Sequence, residues 1–196
     1  MKKSFFIIAI LAFVFFSCEK DNEEMPTVLT EQEQLDLIFL REEEKLARDV
    51  YIYSFQKYNL SIFSSISNSE QSHMNRVLTL LNKYGISDPV ENDVEGVFQN
   101  PDLQYLYNEL TTKSDSSLNH ALEVGATIED LDISDIKIFI NNTTRTDLLD
   151  TYDNLTCGSR NHLRSFVGQL GTYTPVFITQ SEYDAIVGSP NEQCGN

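Results

Sequence analysis

The residues best suited to chemistry in this sequence are Glu70 and His73, which lie three positions apart. The apolar residues around them recur at intervals of three and four, as on the buried face of a helix. These apolar residues are Phe63, Ile66, Val77 and Leu80. Because Glu70 and His73 fill the two missing steps of that series, a carboxylate and an imidazole are expected to face the core. An unpaired charge there would cost several kcal/mol, so a partner must neutralise it.

Two interpretations of this pair are open. Glu-x-x-His at positions i and i+3 is the ligand pattern of helix bundles that hold two metal ions bridged by carboxylates. The alternative is a structural role, in which a hydrogen bond satisfies the imidazole of His73 and the carboxylate of Glu70 reaches solvent. A single motif does not decide between them, so the other helices must supply partners if a metal site exists.

The hydrophobic periodicity predicts an all-α fold with four long helices. A capping box at Thr30 and Glu33 opens the first helix. The third helix is expected to kink at Asp132, because Asp132-Ile133-Ser134-Asp135 resembles a new helix cap, and to resume as far as Ile140. No strand signal of any strength occurs, so a four-helix bundle with short extra helices and a C-terminal extension is predicted. The long helices are expected at about 30–57, 62–84, 118–131 and 147–170, with short ones near 101–110 and from 181.

Each long helix carries an acid or a histidine at a core-facing step near its middle. Glu42 and Glu43 do not share this face and are predicted to be solvated charges. Such a convergence favours one shared site, and carboxylates with two imidazoles suit iron, manganese or zinc. Bridging carboxylates could hold two ions about 3.5–4 Å apart. The predicted ligands are Glu44 from the first helix, Glu70 and His73 from the second, Glu129 with Glu123 in reserve from the third, and His162 from the fourth.

Four segments in this order resemble the landmarks of the DUF2202 family, a group of uncharacterised bacterial and archaeal proteins in the ferritin-like superfamily. The resemblance implies a ferritin-like bundle with a di-metal centre similar to that of rubrerythrin. Glu44-x-x-Ala47-Arg48-x-x-Tyr51 is also similar to the ligand-bearing helix of rubrerythrins, which favours Glu44 over Glu43. The four segments are residues 41–51, 69–73, 125–133 and 158–166.

The fourth helix departs from the pattern of that superfamily. Glu-x-x-His is expected there, but the chain has Ser159-Arg160-Asn161-His162, so one carboxylate is missing. Glu123, Glu129 or Asp132 could replace it from the third helix, with Asp132 ranked last because it is expected at the kink. The alternatives are a centre with an open position, a single metal ion or an unusual pair.

The N-terminus resembles a bacterial lipoprotein signal. Lys2 and Lys3 precede the apolar run Phe5–Phe16, which is too short to cross a bilayer comfortably, and the run ends at Ser17-Cys18. Residues 1–17 are therefore predicted to be removed, Cys18 to be lipidated, and residues 18–28 to form a flexible acidic tether. An ordinary signal peptide with an incidental cysteine is the alternative.

This interpretation predicts a domain at residues 29–187, a tail at 188–196 and a location in the cell envelope. The membrane is expected to be the outer membrane, and the acidic tether resembles signals that export lipoproteins to the cell surface. In that oxidising compartment Cys157 and Cys194 either pair as a disulfide or remain free.

The charge balance argues against nucleic acid as a partner. The whole chain has a net charge of −16, and loss of Lys2 and Lys3 leaves 12 basic and 30 acidic residues, a net charge near −18. The phosphates of nucleic acid would be repelled, whereas cations would be attracted.

The sequence therefore predicts a lipid-anchored protein with a di-iron or related di-metal centre that reacts with dioxygen or peroxide, as a peroxidase or ferroxidase does. Manganese or zinc could take the place of iron. The sequence does not fix the oligomeric state, and a homodimer is one option because rubrerythrin-like bundles often pair. The alternatives are a non-catalytic metal-binding protein and an interaction lipoprotein with a degenerate site.

Overall fold

The computed structural model describes residues 28–195 and contains no strand within that range, which confirms the all-α prediction. No helix in this part of the chain is long and apolar enough to cross a membrane. The predicted signal peptide, the lipidation site Cys18 and the tether up to residue 27 lie outside the described residues. The helices are α1 (Glu31–Tyr58), α2 (Ser61–Tyr84), α3 (Pro101–Asp115), α4 (Leu118–Asn141), α5 (Thr146–Leu170) and α6 (Gln180–Val187).

The ends of α1 and α2 follow from local sequence signals. The Thr30 hydroxyl accepts a hydrogen bond from the Glu33 backbone N–H at 3.2 Å, and the Glu33 carboxylate accepts one from the Thr30 N–H at 2.8 Å. This capping box fixes the start of α1. Helix α2 ends at Gly85, whose φ of 67° is left-handed and open to glycine at little cost.

The four long helices form a bundle in which neighbours run antiparallel. Helices α1 and α2 are joined by residues 59–60, and α4 and α5 by residues 142–145. The start of α1 meets the end of α4, where Asn142 donates a hydrogen bond to Asp36 at 2.9 Å. The end of α2 meets the start of α5, where Lys83 donates to Asp147 at 2.7 Å. The predicted four-helix bundle is thus confirmed, with α3 packed against α1 and α4.

Helix α4 is continuous through residues 132–135, so the predicted end of the long helix near Leu131 and the new cap at Asp132 are wrong. Ile133 and Ile136 remain buried across this stretch, and the apolar face of the helix therefore has no break there. A segment with the composition of a cap stays helical when its buried face continues, because tertiary packing outweighs local preference.

The core consists of two hydrophobic clusters separated by a polar layer. One cluster includes Phe63 and Phe166, and the other includes Leu37 and Tyr152. On each long helix the apolar residues switch from one cluster to the other near the middle, and the polar residues occupy the layer between them. This layer holds most of the ligands predicted above.

The C-terminal segment folds back onto α5. The sulfur atoms of Cys157 and Cys194 lie 2.01 Å apart, which is disulfide bonding distance. Arg160 and Arg164 of α5 each donate to the Glu192 carboxylate at 2.8 Å. The tail is therefore held beside the middle of α5.

Candidate metal centre

Five predicted ligands lie together in the polar layer, and all are buried. Helix α1 supplies one, α2 supplies two, and α4 and α5 supply one each. Their exposed fractions are 1% for Glu44, 2% for Glu70, 7% for His73, 2% for Glu129 and 8% for His162.

Glu70 is the residue on which the cluster is centred. Its Oε2 lies 2.8 Å from His73 Nδ1, and its Oε1 lies 2.8 Å from His162 Nδ1. Glu44 Oε2 is 3.1 Å from His73 Nδ1, and Glu129 Oε2 is 3.3 Å from His162 Nδ1. The result is two groups of three ligands with Glu70 in both, and within each group the ligand atoms lie no more than 4.8 Å apart.

Both imidazole rings present Nδ1 to the carboxylates and hold Nε2 away from them. The rings are stacked, with centroids 5.6 Å apart. The Nε2 atom of His162 lies 3.0 Å from the Ser69 hydroxyl. The Nε2 atom of His73 rests against Gly158, where an added Cβ would come within 2.5 Å of it. Gly158 is therefore required for the position of the His73 ring.

Several ligand atoms in this layer are buried without a hydrogen-bond partner among the described residues. The 2.8 Å contact between Glu70 Oε1 and His162 Nδ1 lacks hydrogen-bond alignment, so neither atom is satisfied by it. A buried polar atom left in this state costs about 1–3 kcal/mol, and such atoms are rare. A cation between the groups would satisfy them, so the donor set fits a metal centre. The unpartnered atoms are Glu44 Oε1, Glu70 Oε1 and His162 Nδ1.

The electrostatics of this layer favour the protonated forms of Glu44 and His162 when no cation is present. Burial raises the pKa of Glu44 well above its ordinary range, and the charge of Asp132 raises it further. Burial lowers the pKa of His162, but the charges of Glu70 and Glu129 outweigh this and bring it to about 10. For Glu70 burial is likewise outweighed, here by the charges of His162 and His73, and its pKa is lowered. Metal binding would have to displace these protons.

Asp132 also belongs to the polar layer, although the sequence ranked it last. It is buried, its Oδ2 accepts a hydrogen bond from the Ser159 hydroxyl, and its Oδ1 has no hydrogen-bond partner in the described chain. Burial, with the charge of Glu129, raises its pKa to about 7. Its position three residues after Glu129 is the same spacing as that of Glu70 and His73, and this signal could have identified it.

Glu123 is not part of the cluster, contrary to its role as a reserve ligand. Its side chain is 41% exposed and pairs with Lys113 of α3 at 3.2 Å. Six positions separate it from Glu129, which is not a whole number of helical turns, so the two point in different directions.

Glu42 and Glu43 are both 3% exposed, so their predicted solvation is wrong. The carboxylate of Glu42 accepts hydrogen bonds from the backbone N–H groups of Gln99 at 2.6 Å and Asn100 at 3.0 Å. Burial, with the charges of Asp132 and Asp135, raises the pKa of Glu43 well above its usual range. The loop before α3 covers Glu42, whereas Glu43 faces acidic residues of α4, and helical periodicity alone reveals neither contact.

Tyr51 also contacts the cluster. Its hydroxyl donates to Glu129 Oε1 at 2.5 Å, and its ring packs against Phe166 with centroids 5.2 Å apart. The pattern Glu44-x-x-Ala47-Arg48-x-x-Tyr51 includes Tyr51, but it gave no sign of the hydrogen bond to Glu129. This bond fixes one oxygen of Glu129 and leaves the other facing His162.

A cavity of about 270 Å³ opens beside the two histidines. Ser72, Arg76 and Asn154 contribute polar walls, and Gly195 of the tail lies at its edge. A molecule of a few atoms fits such a space and would reach the cluster from the α2–α5 side.

Comparisons with known proteins agree with this fold. The chain is 50% identical over 169 residues to the uncharacterised protein MJ0754 of Methanocaldococcus jannaschii, covering 84% of this chain and 91% of that protein. A crystal structure of the hypothetical protein MJ0754 matches with a TM-score of 0.84 and 50% identity, over 86% of this chain and 98% of the other. Residues 33–190 match DUF2202, described as an uncharacterised protein domain. The chain therefore belongs to the DUF2202 family.

Proposed function

We propose that this protein binds two metal ions between its four long helices and that the loaded centre reacts with dioxygen or peroxide. Iron is the proposed metal, with manganese or zinc as substitutes. The observation that carries the proposal is the position of Glu70, whose two oxygens each lie 2.8 Å from a different histidine. A carboxylate placed in this way is shared by two groups of ligands and suits a bridge between two ions.

The division of ligands follows from the two groups. Glu44 and His73 would hold one ion, Glu129 and His162 the other, and Glu70 both. Iron bound there would supply the one-electron chemistry that amino-acid side chains lack.

The chain itself positions the ligands and excludes bulk water. Two hydrophobic clusters lie on either side of the polar layer. Tyr51 orients Glu129, and the Ser69 hydroxyl lies 3.0 Å from His162 Nε2, where a hydrogen bond would keep the ring with Nδ1 towards the carboxylates. The cavity beside the histidines would admit an oxidant of a few atoms.

A second candidate is a protein that binds one metal ion without catalysis. It is favoured by Ser159, since a serine hydroxyl is a poor ligand at the position where the superfamily pattern has a glutamate. This candidate predicts stoichiometric zinc and no response to oxidants.

The proposal is tested by loading the purified protein with Fe(II) under anaerobic conditions. We expect more than one iron per chain, approaching two, and a change in absorbance when peroxide is added. Glu70→Ala and His73→Ala should each lose iron, because Glu70 belongs to both groups and His73 to one. His120→Ala is the matched control, since His120 is exposed and contacts the hydroxyls of Ser116 and Ser117. Wild-type iron content in Glu70→Ala and His73→Ala would contradict the proposed site.

A further inference from the structure

The space around position 159 on α5 is occupied by a side chain from another helix. Ser159 is fully buried, and its hydroxyl lies against Asp132 Oδ2 and 3.0 Å from the Leu155 carbonyl oxygen. A hydroxyl has a single hydrogen, and an ionised carboxylate is the stronger acceptor of the two. Ser159 is therefore suited to hold a carboxylate that comes from α4.

We propose that Asp132 supplies the carboxylate that α5 lacks, as an additional metal ligand, and that Ser159 is its positioning residue. This inference rests on the proposed function, because it completes the ligand set of the same centre. It replaces Glu123, which faces solvent and Lys113.

The free oxygen of Asp132 is the first reason. Asp132 is 6% exposed, Ser159 satisfies only Oδ2, and Oδ1 has no hydrogen-bond partner among the described residues. A buried carboxylate oxygen without a partner is costly unless a cation satisfies it. Oδ1 is therefore available to a metal ion in the way that the free oxygens of Glu44 and Glu70 are.

The place of Asp132 in the polar layer is the second reason. It lies one helical turn after Glu129, so both project from the same face of α4. The charge of Asp132 raises the pKa of Glu44. The charges of Glu129 and Glu70 raise the pKa of Asp132, and that of His73 lowers it. These residues come from α1, α2 and α4 and include members of both ligand groups. Asp132 thus lies within electrostatic reach of both ligand groups, although neither group includes it.

The small residues of α5 are the third reason. At Gly158 the absence of a side chain makes room for the His73 ring, and at Ser159 a short side chain leaves room for Asp132. A glutamate at position 159 would compete with the Asp132 carboxylate for the same space. Serine on α5 and aspartate on α4 therefore form a matched pair.

The test is a titration of the purified full chain with Mn(II) under nitrogen, with bound and free metal measured by equilibrium dialysis. The wild type is expected to bind two ions. Asp132→Asn keeps the size of the side chain and the acceptor for Ser159 but removes the charge, so we expect the second ion to bind at least tenfold more weakly. Ser159→Ala should weaken it by about tenfold, as the loss of a group that orients a ligand does.

Two further variants separate a ligand role from a merely structural one. The exchange variant Asp132→Ser/Ser159→Asp moves the carboxylate across the same hydrogen bond, so it should bind the second ion more tightly than Asp132→Asn does. Glu123→Gln, on the same helix, should bind Mn(II) as the wild type does. Thermal melting of each metal-free variant shows whether it is folded. If the exchange variant does not fold, the two single variants decide.

Each failure has a distinct meaning. If Asp132→Asn is folded and binds two Mn(II) ions with wild-type affinity, Asp132 is not a ligand, while the proposed function stands. If Ser159→Ala binds both ions as the wild type does, Ser159 has no positioning role. If the wild type binds neither Mn(II) nor Fe(II), the proposed function fails, and this inference fails with it.

Discussion

Helix α1 buries charged side chains in two regions that differ in how those charges are satisfied. In the first, which we call the paired network, Lys45, Arg48 and Asp49 pack under the loop before α3. In the second, Glu44 faces the polar layer of the bundle. Glu44 and Asp49 are exposed by 1% or less, so burial alone does not distinguish a structural charge from a functional one.

The paired network satisfies its own carboxylate completely. Asp49 Oδ1 accepts from Arg48 Nε at 2.9 Å and Nη2 at 2.8 Å. Its Oδ2 accepts from the Gly96 backbone N–H at 2.9 Å and from Lys45 Nζ. Lys45 also donates to the Val94 carbonyl oxygen at 2.8 Å. A buried charge with this many partners stabilises one arrangement of loop and helix and needs no ligand.

The polar layer contains the same kinds of charged group, but not all of their buried polar atoms are hydrogen-bonded. Glu44, Glu70, Asp132 and His162 each have a buried atom with no hydrogen-bond partner in the described chain. If the polar layer binds metal as proposed, then missing hydrogen-bond partners, and not burial, distinguish it from the paired network. This difference between the two regions can be tested by matched substitutions.

The largest expected effect comes from replacing one carboxylate in each region by its amide. Asp49→Asn removes the charge and turns one oxygen into an NH₂ group, which would face either Arg48 or Lys45 and the Gly96 N–H. We therefore expect the free energy of unfolding to fall by about 3–5 kcal/mol. Glu44→Gln should change the stability of the metal-free protein by no more than about 1 kcal/mol, because burial raises the pKa of Glu44 and so already disfavours its charge. Urea unfolding in the presence of a chelator measures the change in the free energy of unfolding for both variants.

Metal binding should show the reverse order. Glu44→Gln should lose affinity for Mn(II), whereas Asp49→Asn, where it remains folded, should keep it. Equal losses of stability in the two variants would remove the distinction between the regions.

The two regions should also titrate in opposite directions. His162 has a pKa of about 10 in the folded chain, compared with its ordinary value of 6.5. Its full contribution to stability is present below pH 6.5 and is lost as the pH rises towards 10. The pKa of Asp132 is raised from 3.8 to about 7, so the stability that Asp132 contributes is lost as the pH rises between those two values. The metal-free protein should therefore lose about 2 kcal/mol or more between pH 5 and pH 9.

Asp93, in the loop above the paired network, accepts hydrogen bonds from Arg48. These bonds lower the pKa of Asp93, so its contribution to stability is present above pH 3.8 and is lost only as pH falls below that value. Melting temperatures measured with a chelator, and again with Mn(II), check the contrast. The melting temperature of the metal-free protein should fall as pH rises. The increase in melting temperature caused by Mn(II) should become larger as pH rises, because the proposed ligands release protons when the metal binds. A metal-free melting temperature that rises from pH 5 to pH 9 would contradict this account.

A smaller effect is expected from adding one methyl group to α5 at the centre. In Gly158→Ala the new Cβ would lie 2.5 Å from His73 Nε2, so the ring must shift and stability should fall by about 1.5 kcal/mol. Gly168→Ala is the control on the same helix, since nothing lies within 4 Å of its Cβ, and it should gain about 0.5 kcal/mol. Only Gly158→Ala should weaken Mn(II) binding. Equal behaviour of the two variants would show that the His73 ring does not rely on Gly158.

The smallest predicted change is the loss of one hydroxyl. Tyr51→Phe keeps the contact with Phe166 and removes the hydrogen bond to Glu129, so we expect about 1 kcal/mol of lost stability and a weaker Mn(II) affinity. Tyr152→Phe is a suitable control, because the Tyr152 hydroxyl is buried without a hydrogen-bond partner among the described residues. It should cost nothing and leave metal binding unchanged.

Sequence periodicity predicted the long helices and the five buried side chains that are proposed as ligands, because each of them fills a step in an apolar series on its own helix. Glu70 and His73 are the clearest instance, since the residues before and after them continue into separate hydrophobic clusters. Periodicity reports which face of a helix is buried, and for these residues the buried face was enough.

The errors arose where burial depends on a distant segment. Glu42 is covered by the backbone of Gln99 and Asn100, more than 50 positions along the chain, and no local pattern encodes that contact. Asp132 was misjudged because its neighbours resemble a cap, whereas Ile133 and Ile136 keep that part of α4 in the core. No sequence pattern indicates that Ser159 binds one oxygen of Asp132 and leaves the other without a hydrogen-bond partner among the described residues.

The central claim, that Glu70 is shared by two metal ions, is tested most directly by anomalous diffraction from crystals of the protein loaded with Mn(II) or Fe(II). The account predicts two peaks about 3.5–4 Å apart, one beside Glu44 and His73, the other beside Glu129 and His162, with the Glu70 carboxylate between them. A single peak, or peaks that do not contact Glu70, would contradict it.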